Sequence, residues 1–220
     1  YARADRKTSG RESITAKLTA NLLEKSGVDR VLAMDLHSAQ IQGYFDIPCD
    51  HIYGSPVLID YLETLNLEEV VVVSPDVGGV ARARAFAKLM KDAPLAIIDK
   101  RRSAHNTAES LTVIGEVKGK TAILIDDMID TGGTICSGAN LLKKEGANRI
   151  FACASHAVFS PPSYERLSAK DLFEQVIVTN SIPVIVKDNF PQLKVLSVAN
   201  MLGEAIWRIH EESSVSSMFR

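Results

Sequence analysis

Short apolar runs alternate with amphipathic segments along the whole chain. The apolar runs are continuous and do not alternate with polar residues, which is typical of strands covered on both faces. Helical spacing between them indicates crossover helices. The pattern therefore predicts an α/β fold with mostly parallel sheets flanked by helices. The predicted strands are 30–34, 70–73, 95–98, 111–114, 122–125, 150–154, 176–178 and 195–198, and the predicted helices are 14–25, 55–65, 78–90, 132–145, 162–170 and 201–211. From the pattern alone, the best candidate for a domain boundary is 65–69, between two similar βα blocks.

Charge and composition narrow the function classes. The 220 residues carry a formal net charge of −2, so the overall balance offers no footprint for nucleic acid. Three widely spaced cysteines favour a reducing compartment over a disulfide framework or a zinc site. No apolar run approaches the length of a membrane span, and no signal peptide is recognisable. We expect neither nucleic acid nor membrane as a partner, and a cytoplasmic location, with a plastid as the alternative.

The segment 121–134, Thr-Ala-Ile-Leu-Ile-Asp-Asp-Met-Ile-Asp-Thr-Gly-Gly-Thr, carries the strongest chemical signal. The pair Asp126 and Asp127 follows the predicted strand 122–125, and 130–134 leads into a predicted helix. Ligands of α/β proteins bind where strands end and helices begin, and amides at a helix N-terminus hold phosphate. Asp130 as a helix cap is the alternative. Adjacent carboxylates repel each other, however, and need cations or hydroxyl donors. The segment therefore predicts a sugar phosphate site.

Acidic, basic or histidine residues follow three other predicted strands, and the carboxyl ends of parallel strands lie along one edge of a sheet. Asp35 and His37 follow one strand, Asp76 follows another, and Lys100 with Arg102 follows a third. Each set has a simpler alternative. Asp35 and His37 could form a hydrogen-bonded turn, Asp76 could be a helix cap, and Lys100 with Arg102 could be a solvated charge cluster. The unpatterned stretch after Arg102 would suit a mobile lid that carries catalytic cations.

A resemblance to a known family sharpens these interpretations. Segment 121–134 resembles the phosphoribosyl-pyrophosphate loop of type I phosphoribosyltransferase-fold proteins. Segments 1–7, 34–48, 74–79 and 99–102 resemble ribose-phosphate pyrophosphokinases, also called phosphoribosyl-pyrophosphate synthetases. The resemblance covers essentially the whole chain in the right order. It implies two similar type I phosphoribosyltransferase-like domains, the first incomplete because the family's N-terminal segment is missing.

The implied domains are the rest of the N-terminal domain at 1–52, the C-terminal domain at 53–197, and a helix and tail at 198–220 that pack back on the first domain. The implied reaction moves diphosphate from ATP to the anomeric hydroxyl of ribose 5-phosphate, giving phosphoribosyl pyrophosphate and AMP. Such chemistry depends on positioning, Mg²⁺ and cationic stabilisation of phosphoryl oxygens. Family members assemble into dimers and often hexamers, so a homo-oligomer is expected.

The resemblance also implies roles for individual residues. It implies that Lys100, as a positioned charge, and Arg102 are the catalytic residues. Ribose 5-phosphate binding falls to Asp126, Asp127, Asp130, Thr131, Gly132, Gly133 and Thr134. Nucleotide binding falls to Arg3, Asp5 and His37. Contacts with Mg²⁺ fall to Asp35, His37, Asp76, Asp46 and Asp50, the last two with an ordinary turn as the alternative. Ala4 stands where many family members carry glutamine.

Arg82 and Arg84 on the predicted basic helix are interpreted as surface or subunit-contact charges, with a phosphate contact as the alternative for Arg82. His156 ends a strand and is a weaker candidate for lining the nucleotide site, and His51 is taken as a packing or surface residue.

Two other functions stay open from the sequence. A non-catalytic regulatory member of the family would bind nucleotide without turnover, although the catalytic set is intact here. A phosphoribosyltransferase would consume phosphoribosyl pyrophosphate, but it would not need the Asp35/His37 and Lys100/Arg102 elements.

The first part of the family's chain completes a domain and lends nucleotide contacts to a neighbour. We therefore expect this chain alone to have little or no activity.

Overall fold

The computed structural model describes residues 1, 3–7, 9–101, 110–186 and 189–219. In chain order the elements are α1 (Thr15–Lys25), β1 (Val31–Met34), β2 (Cys49–Ile52), α2 (Ser55–Thr64), β3 (Val70–Ser74), α3 (Val80–Leu89), β4 (Leu95–Arg101), β5 (Ser110–Ile114), β6 (Thr121–Ile129), α4 (Gly133–Lys144), β7 (Arg149–Ala157), α5 (Ser163–Leu167), β8 (Gln175–Thr179), β9 (Leu193–Leu196) and α6 (Ala199–His210), with short 3₁₀ turns at Ala39–Tyr44 and Ser216–Phe219.

Contacts divide the chain into two compact units. The larger is Ser55–Val198, and the smaller combines Tyr1–Gly54 with Ala199–Arg220. The boundary expected at 65–69 from the pattern is wrong. The reason is that α2 packs its apolar side into the core of the larger unit, so the division falls before this helix.

The larger unit is built on a seven-stranded sheet in the order β5-β4-β3-β6-β7-β8-β9. All neighbouring pairs are parallel except β4 and β5, which form an antiparallel pair. This arrangement confirms the predicted α/β class with mostly parallel strands flanked by helices. The carboxyl ends of β4, β3, β6 and β7 lie side by side at one edge.

Both faces of this sheet are buried, which explains the continuous apolar runs. Val71 and Val73 of β3 belong to one core cluster together with residues of α4, whereas Val72 belongs to the other together with residues of α2 and α3. The absence of a side chain at Gly138 lets helix α4 pack closely against strand β4, because a Cβ at this position would lie 2.8 Å from Cδ1 of Ile98. Helices therefore cover both faces of the sheet in the described part of the chain.

Several predicted bounds were wrong. Strand β6 continues past Ile125 to Ile129, because its pairing with β7 continues through Asp126 and Met128. Strand β2 was not predicted, since its Cys-Asp-His-Ile sequence is not an apolar run. Helix α5 ends at Leu167 and not at 170, and β9 lies at Leu193–Leu196 and not at 195–198.

The smaller unit contains the parallel pair β1–β2, in the register Val31↔Cys49. Nζ of Lys17 on α1 donates to the carbonyl of Tyr44, 2.7 Å away, and ties this helix to the 3₁₀ turn. The hydroxyl of Tyr44 donates to the carbonyl of Asp5 and thereby anchors the first residues of the chain. Among the described residues, no helix combines the length and apolar character needed to cross a membrane.

Candidate functional site

The turn between β6 and α4 has a form suited to an anion. Gly132 is the N-cap of α4 and has φ +74°, a left-handed conformation that glycine adopts without steric cost. Its carbonyl accepts the amide of Cys136 at 3.0 Å, and Nη1 of Arg166 donates to the carbonyl of Thr131 at 3.1 Å. The interpretation of Asp130 as the N-cap is therefore wrong. The first amides of a helix have no partner within the helix and point away from its N-terminus, where they can donate to an anion. The turn before α4 is held by the contacts of Gly132 and Thr131, which fixes the position of these amides.

Asp126 and Asp127 lie inside strand β6 and not after it. The side chain of Asp127 is only 2% exposed and that of Asp126 is 24% exposed. Nη1 of Arg82 lies 3.4 Å from Oδ1 of Asp126 and 3.5 Å from Oδ1 of Asp127. Burial, followed by the hydrogen bond and the negative charge of Asp127, raises the pKa of Asp126 to about 7, and Arg82 opposes this rise. The site thus contains two crowded acids that share one cation.

The pairing of Arg82 with the two acids was not expected from the sequence, which indicated a surface or subunit-contact charge, with a phosphate contact as the alternative. The available signal was position: α3 begins at Val80, so Arg82 lies in its first turn, next to the carboxyl ends of β3 and β6.

Asp76 lies just beyond β3 and is exposed. Its Oδ1 accepts the amide of Gly79 at 2.8 Å, and its carbonyl accepts the hydroxyl of Ser74 at 2.6 Å. The N-cap of α3 is Gly79, so the alternative interpretation of Asp76 as the helix N-cap is wrong, although its carboxylate holds the turn that precedes the helix. One carboxylate oxygen therefore has a structural partner at the start of α3.

Lys100 is exposed and lies within β4, paired in register with Leu111 of β5. The predicted end of this strand at Ile98 was therefore too early, because pairing with β5 continues through Arg101. Arg102 and the predicted lid at 103–109 lie outside the described residues.

The larger unit thus brings Lys100, Asp76, the Asp126–Asp127 pair and the turn 130–134 to the carboxyl ends of neighbouring strands. His156 of β7 belongs to the same edge, where it pairs in register with Met128.

The remaining predicted residues lie in the smaller unit. Asp35 and His37 follow β1 of its two-stranded sheet, so the expectation that all these strand ends lie along one sheet edge is wrong for them. Asp35 is buried at a positive φ of 42°, and its Oδ2 accepts the amide of Gly54 at 2.7 Å. His37 is exposed, two residues further on. Nε2 of His51 accepts the amide of Leu36 at 2.9 Å, which supports the interpretation of His51 as a packing residue.

Asp46 and Asp50 each face a cation of the protein. Asp46 Oδ2 lies 3.7 Å from Nζ of Lys17, and Asp50 Oδ2 lies 2.7 Å from Nε of Arg30. Arg3 is exposed and lines an open depression of about 440 Å³, whereas the carbonyl of Asp5 is bound by Tyr44. The roles of these residues in nucleotide and metal binding stay predictions.

Metal binding can be judged from the donor chemistry. In the described part of the chain, no three His, Cys, Asp or Glu side chains are grouped so that they could hold a metal ion. The oxygens of Asp126 and Asp127 nevertheless converge on one cation, Arg82. Mg²⁺ is commonly bound by one or two carboxylates, with water and substrate phosphate completing its coordination. The carboxylate pair therefore fits Mg²⁺ that arrives with a phosphorylated substrate.

Comparison with known proteins identifies the class. The phosphoribosylpyrophosphate synthetase of Mycobacterium smegmatis superposes with a TM-score of 0.89 at 45% identity, over 97% of this chain and 69% of that one. Residues 97–220 match the family described as phosphoribosyl synthetase-associated domain. The fold is therefore that of phosphoribosylpyrophosphate synthetases.

Curated relatives identify the family. The chain is 96% identical over all 220 residues to the ribose-phosphate pyrophosphokinase of Prochlorococcus marinus subsp. pastoris, and 84% identical to that of a second Prochlorococcus marinus strain. It covers 66% and 67% of these relatives, so it spans about two thirds of their length. The chain belongs to the ribose-phosphate pyrophosphokinase family, as the sequence resemblance predicted.

Proposed function

We propose that this chain provides the ribose 5-phosphate site of a ribose-phosphate diphosphokinase, which transfers diphosphate from ATP to the anomeric hydroxyl and releases AMP. The observation that carries the proposal is the β6–α4 junction. There the partly exposed Asp126 and the buried Asp127 precede a left-handed glycine turn at a helix N-terminus. Carboxylates suit sugar hydroxyls and helix amides suit a phosphate, so one junction accommodates both ends of a sugar phosphate.

The proposed ribose 5-phosphate contacts form two groups, one for the 5-phosphate and one for the ribose hydroxyls. The turn 130–134 holds the 5-phosphate through backbone amides and the hydroxyls of Thr131 and Thr134. Asp126 and Asp127 accept hydrogen bonds from the ribose hydroxyls. These contacts fix the anomeric oxygen relative to the nucleotide, and positioning of this kind supplies much of the catalysis in phosphoryl transfer.

ATP is the proposed diphosphate donor. Lys100 and Arg102 stabilise the charge that builds on the transferred group. Arg3, Asp5 and His37 are the proposed nucleotide contacts. The proposed Mg²⁺ contacts in the smaller unit are Asp35 and His37, with Asp46 and Asp50 as secondary contacts. In the larger unit the proposed Mg²⁺ contact is Asp76, and bound Mg²⁺ would neutralise phosphate charge. The close relatives are ribose-phosphate pyrophosphokinases, which supports the proposed diphosphate transfer to a ribose phosphate.

The larger unit corresponds, in this proposal, to the family's C-terminal domain, and the smaller unit to the rest of its N-terminal domain with the C-terminal helix. A homo-oligomer and a cytoplasmic or plastid location complete the proposal.

A chimera tests the function in a chain of the relatives' full length. This chain replaces the corresponding segment of the Prochlorococcus marinus relative to which it is 96% identical. Products are then separated after incubation with Mg-ATP, with and without ribose 5-phosphate. We expect AMP to form only when ribose 5-phosphate is present. ADP as the product would indicate an ordinary kinase, and absence of turnover would contradict the proposal.

A further inference from the structure

Helix α5 lies directly against the turn that leads into α4. A Cβ at Gly132 would lie 3.4 Å from Cγ of Leu167 and 3.8 Å from Cα of Ser163, so both ends of α5 lie next to this turn. Ser163 and Leu167 are fully buried, which fixes the backbone of α5 in this position. Arg166, which precedes Leu167, is exposed, so its side chain extends from a fixed base beside the proposed phosphate site.

Three observations place the guanidinium of Arg166 at the N-terminus of α4. Its Nη1 donates to the carbonyl of Thr131 at 3.1 Å. The same nitrogen would lie 3.4 Å from a Cβ at Gly133, the first residue of the helix. Burial raises the pKa of the Cys136 thiol to about 11, and the positive charge of Arg166 opposes this rise. The charge of Arg166 therefore acts on the first turn of α4, where the backbone amides have no partner within the helix.

The guanidinium of Arg166 keeps most of its hydrogen-bonding capacity. A guanidinium has five N–H donors. Among the described residues, its side chain makes one hydrogen bond, to Thr131, and it forms no ion pair with a carboxylate. Four other arginines each lie 2.7–3.4 Å from a carboxylate oxygen, namely Arg30, Arg82, Arg149 and Arg208. A cation that has spare donors and no acid of the described chain beside it is suited to an external anion.

The charges of the proposed site call for such a cation. A phosphate monoester has a charge of about −1.5 to −2 at neutral pH, and a helix N-terminus supplies only about half a positive charge. Residues 131–134 add no charged side chain, whereas Asp126, Asp127 and Asp130 are acidic. Arg82 lies at the carboxylate pair. A phosphate at the turn therefore needs a further positive charge, and Arg166 is placed to supply it.

We propose that Arg166 is a binding residue for the phosphate group of the sugar, which it contacts with the guanidinium donors that Thr131 does not use. A planar guanidinium suits this role, because its paired N–H groups match two phosphate oxygens. The inference rests on the proposed function and deepens it, since it adds a side-chain cation to the backbone amides of the turn. The hydrogen bond to Thr131 also holds the turn in place before the phosphate arrives.

Calorimetric binding of ribose 5-phosphate and of inorganic phosphate to the 220-residue chain tests the proposal. Arg166→Gln is expected to bind both about tenfold more weakly than wild type, because a charged hydrogen-bond donor to the phosphate is lost. Arg166→Lys keeps the charge without the planar fork, and its affinity should fall between those of Arg166→Gln and wild type. Lys170→Gln removes the same charge from an exposed position beyond the end of α5, and it should bind both ligands as wild type does.

A second measurement does not depend on the fold of a variant. In the wild-type chain, inorganic phosphate should shift the side-chain nitrogen resonance of Arg166, assigned by its absence in Arg166→Lys. The resonance of Arg149, at the opposite end of β7 from the proposed site, should stay in place. Equal affinities of Arg166→Gln and wild type, an unshifted Arg166 resonance at saturating phosphate, or absence of phosphate binding by the wild-type chain would overturn the proposal.

The chimera separates this proposal from the proposed function. There Arg166→Gln should raise the KM for ribose 5-phosphate about tenfold and leave the KM for ATP within about twofold. Failure of the wild-type chimera to form AMP, together with weakened phosphate binding by Arg166→Gln, would contradict only the proposed function. Turnover by the chimera with an unchanged KM for ribose 5-phosphate in Arg166→Gln would contradict only the role of Arg166.

Discussion

Nδ1 of His156 lies 2.8 Å from the hydroxyl oxygen of Ser181 at the carboxyl edge of the larger sheet. The same hydroxyl lies 3.0 Å from the carbonyl oxygen of Ser155, which can only accept. Because a hydroxyl has one proton and donates it to the carbonyl, Nδ1 must donate to the hydroxyl. Thr179 also donates to this carbonyl, at 2.7 Å, and its oxygen accepts the amide of Ser181 at 3.1 Å. The network thus fixes the ring of His156 beside β6.

The neutral ring of His156 should therefore carry its proton on Nδ1. Long-range proton–nitrogen correlation spectra at about pH 9 distinguish the two tautomers of neutral imidazole. Ser181→Ala removes the acceptor and should shift the population toward the other tautomer. His210, exposed on α6, gives a reference signal that should not change. A dominant Nε2–H form in the wild-type chain would contradict this assignment.

The partly exposed Asp126, beside the buried Asp127, should make the stability of the chain depend on pH. The pKa of Asp126 rises from 3.8 to about 7 in the folded chain. A carboxyl group with a raised folded pKa favours folding at low pH, and this contribution is lost as the pH rises through about 7. Asp126→Asn removes the ionisation, so it should unfold at higher temperature than wild type at about pH 8.5, with a gain of about 2 kcal/mol.

The difference in melting temperature should shrink as the pH falls toward about 5, because wild-type Asp126 is then mostly protonated in the folded state. Asp60→Asn, on the exposed side of α2, is the control and should show no such trend. A melting temperature for Asp126→Asn that stays below that of wild type at about pH 8.5 would contradict the assigned direction.

The alternation of strands and helices was predictable because the sheet is covered on both faces. Residues 70–73 form a continuous apolar run since Val71 and Val73 face one cluster and Val72 the other. The start of α4 was predictable for a different reason, because a pair of glycines, Gly132 and Gly133, follows a predicted strand and precedes a helical pattern. Both signals are local in sequence.

Contacts between distant segments were not predictable in this way. Strand β6 continues through polar Asp126 because β7 pairs with it there, and the sequence of 126–129 has no apolar run to show this. The pairing of Arg82 with Asp126 joins residues 44 positions apart. Each depends on how elements assemble, so a local pattern contains no signal for it.

Two glycines should respond in opposite ways to alanine. Gly115, after β5, has φ +115°, and a Cβ there would lie 3.0 Å from Cα of Ala96 and from the carbonyl oxygen of Leu95. Gly115→Ala should therefore lower the free energy of unfolding by about 2–3 kcal/mol through backbone strain and collision. Gly203 in α6 has nothing within 4 Å of its Cβ position, so Gly203→Ala should raise it by roughly 0.5–1 kcal/mol. Urea denaturation measures both, and a neutral Gly115→Ala would show that the β5 turn relaxes.

Lys100 should be needed for turnover and not for sugar binding. It lies on β4, whereas the proposed ribose 5-phosphate contacts lie on β6 and the start of α4. Lys100→Ala in the full-length chimera should reduce AMP formation by at least about a thousandfold, because a charge positioned for the transferring group is lost. The dissociation constant for ribose 5-phosphate should stay within about twofold, since no contact with the sugar changes.

Lys144→Ala, exposed in the last turn of α4, is the matched control and should keep full turnover. Turnover of Lys100→Ala equal to that of the control would remove Lys100 from catalysis, and loss of sugar binding would move it to the ribose site.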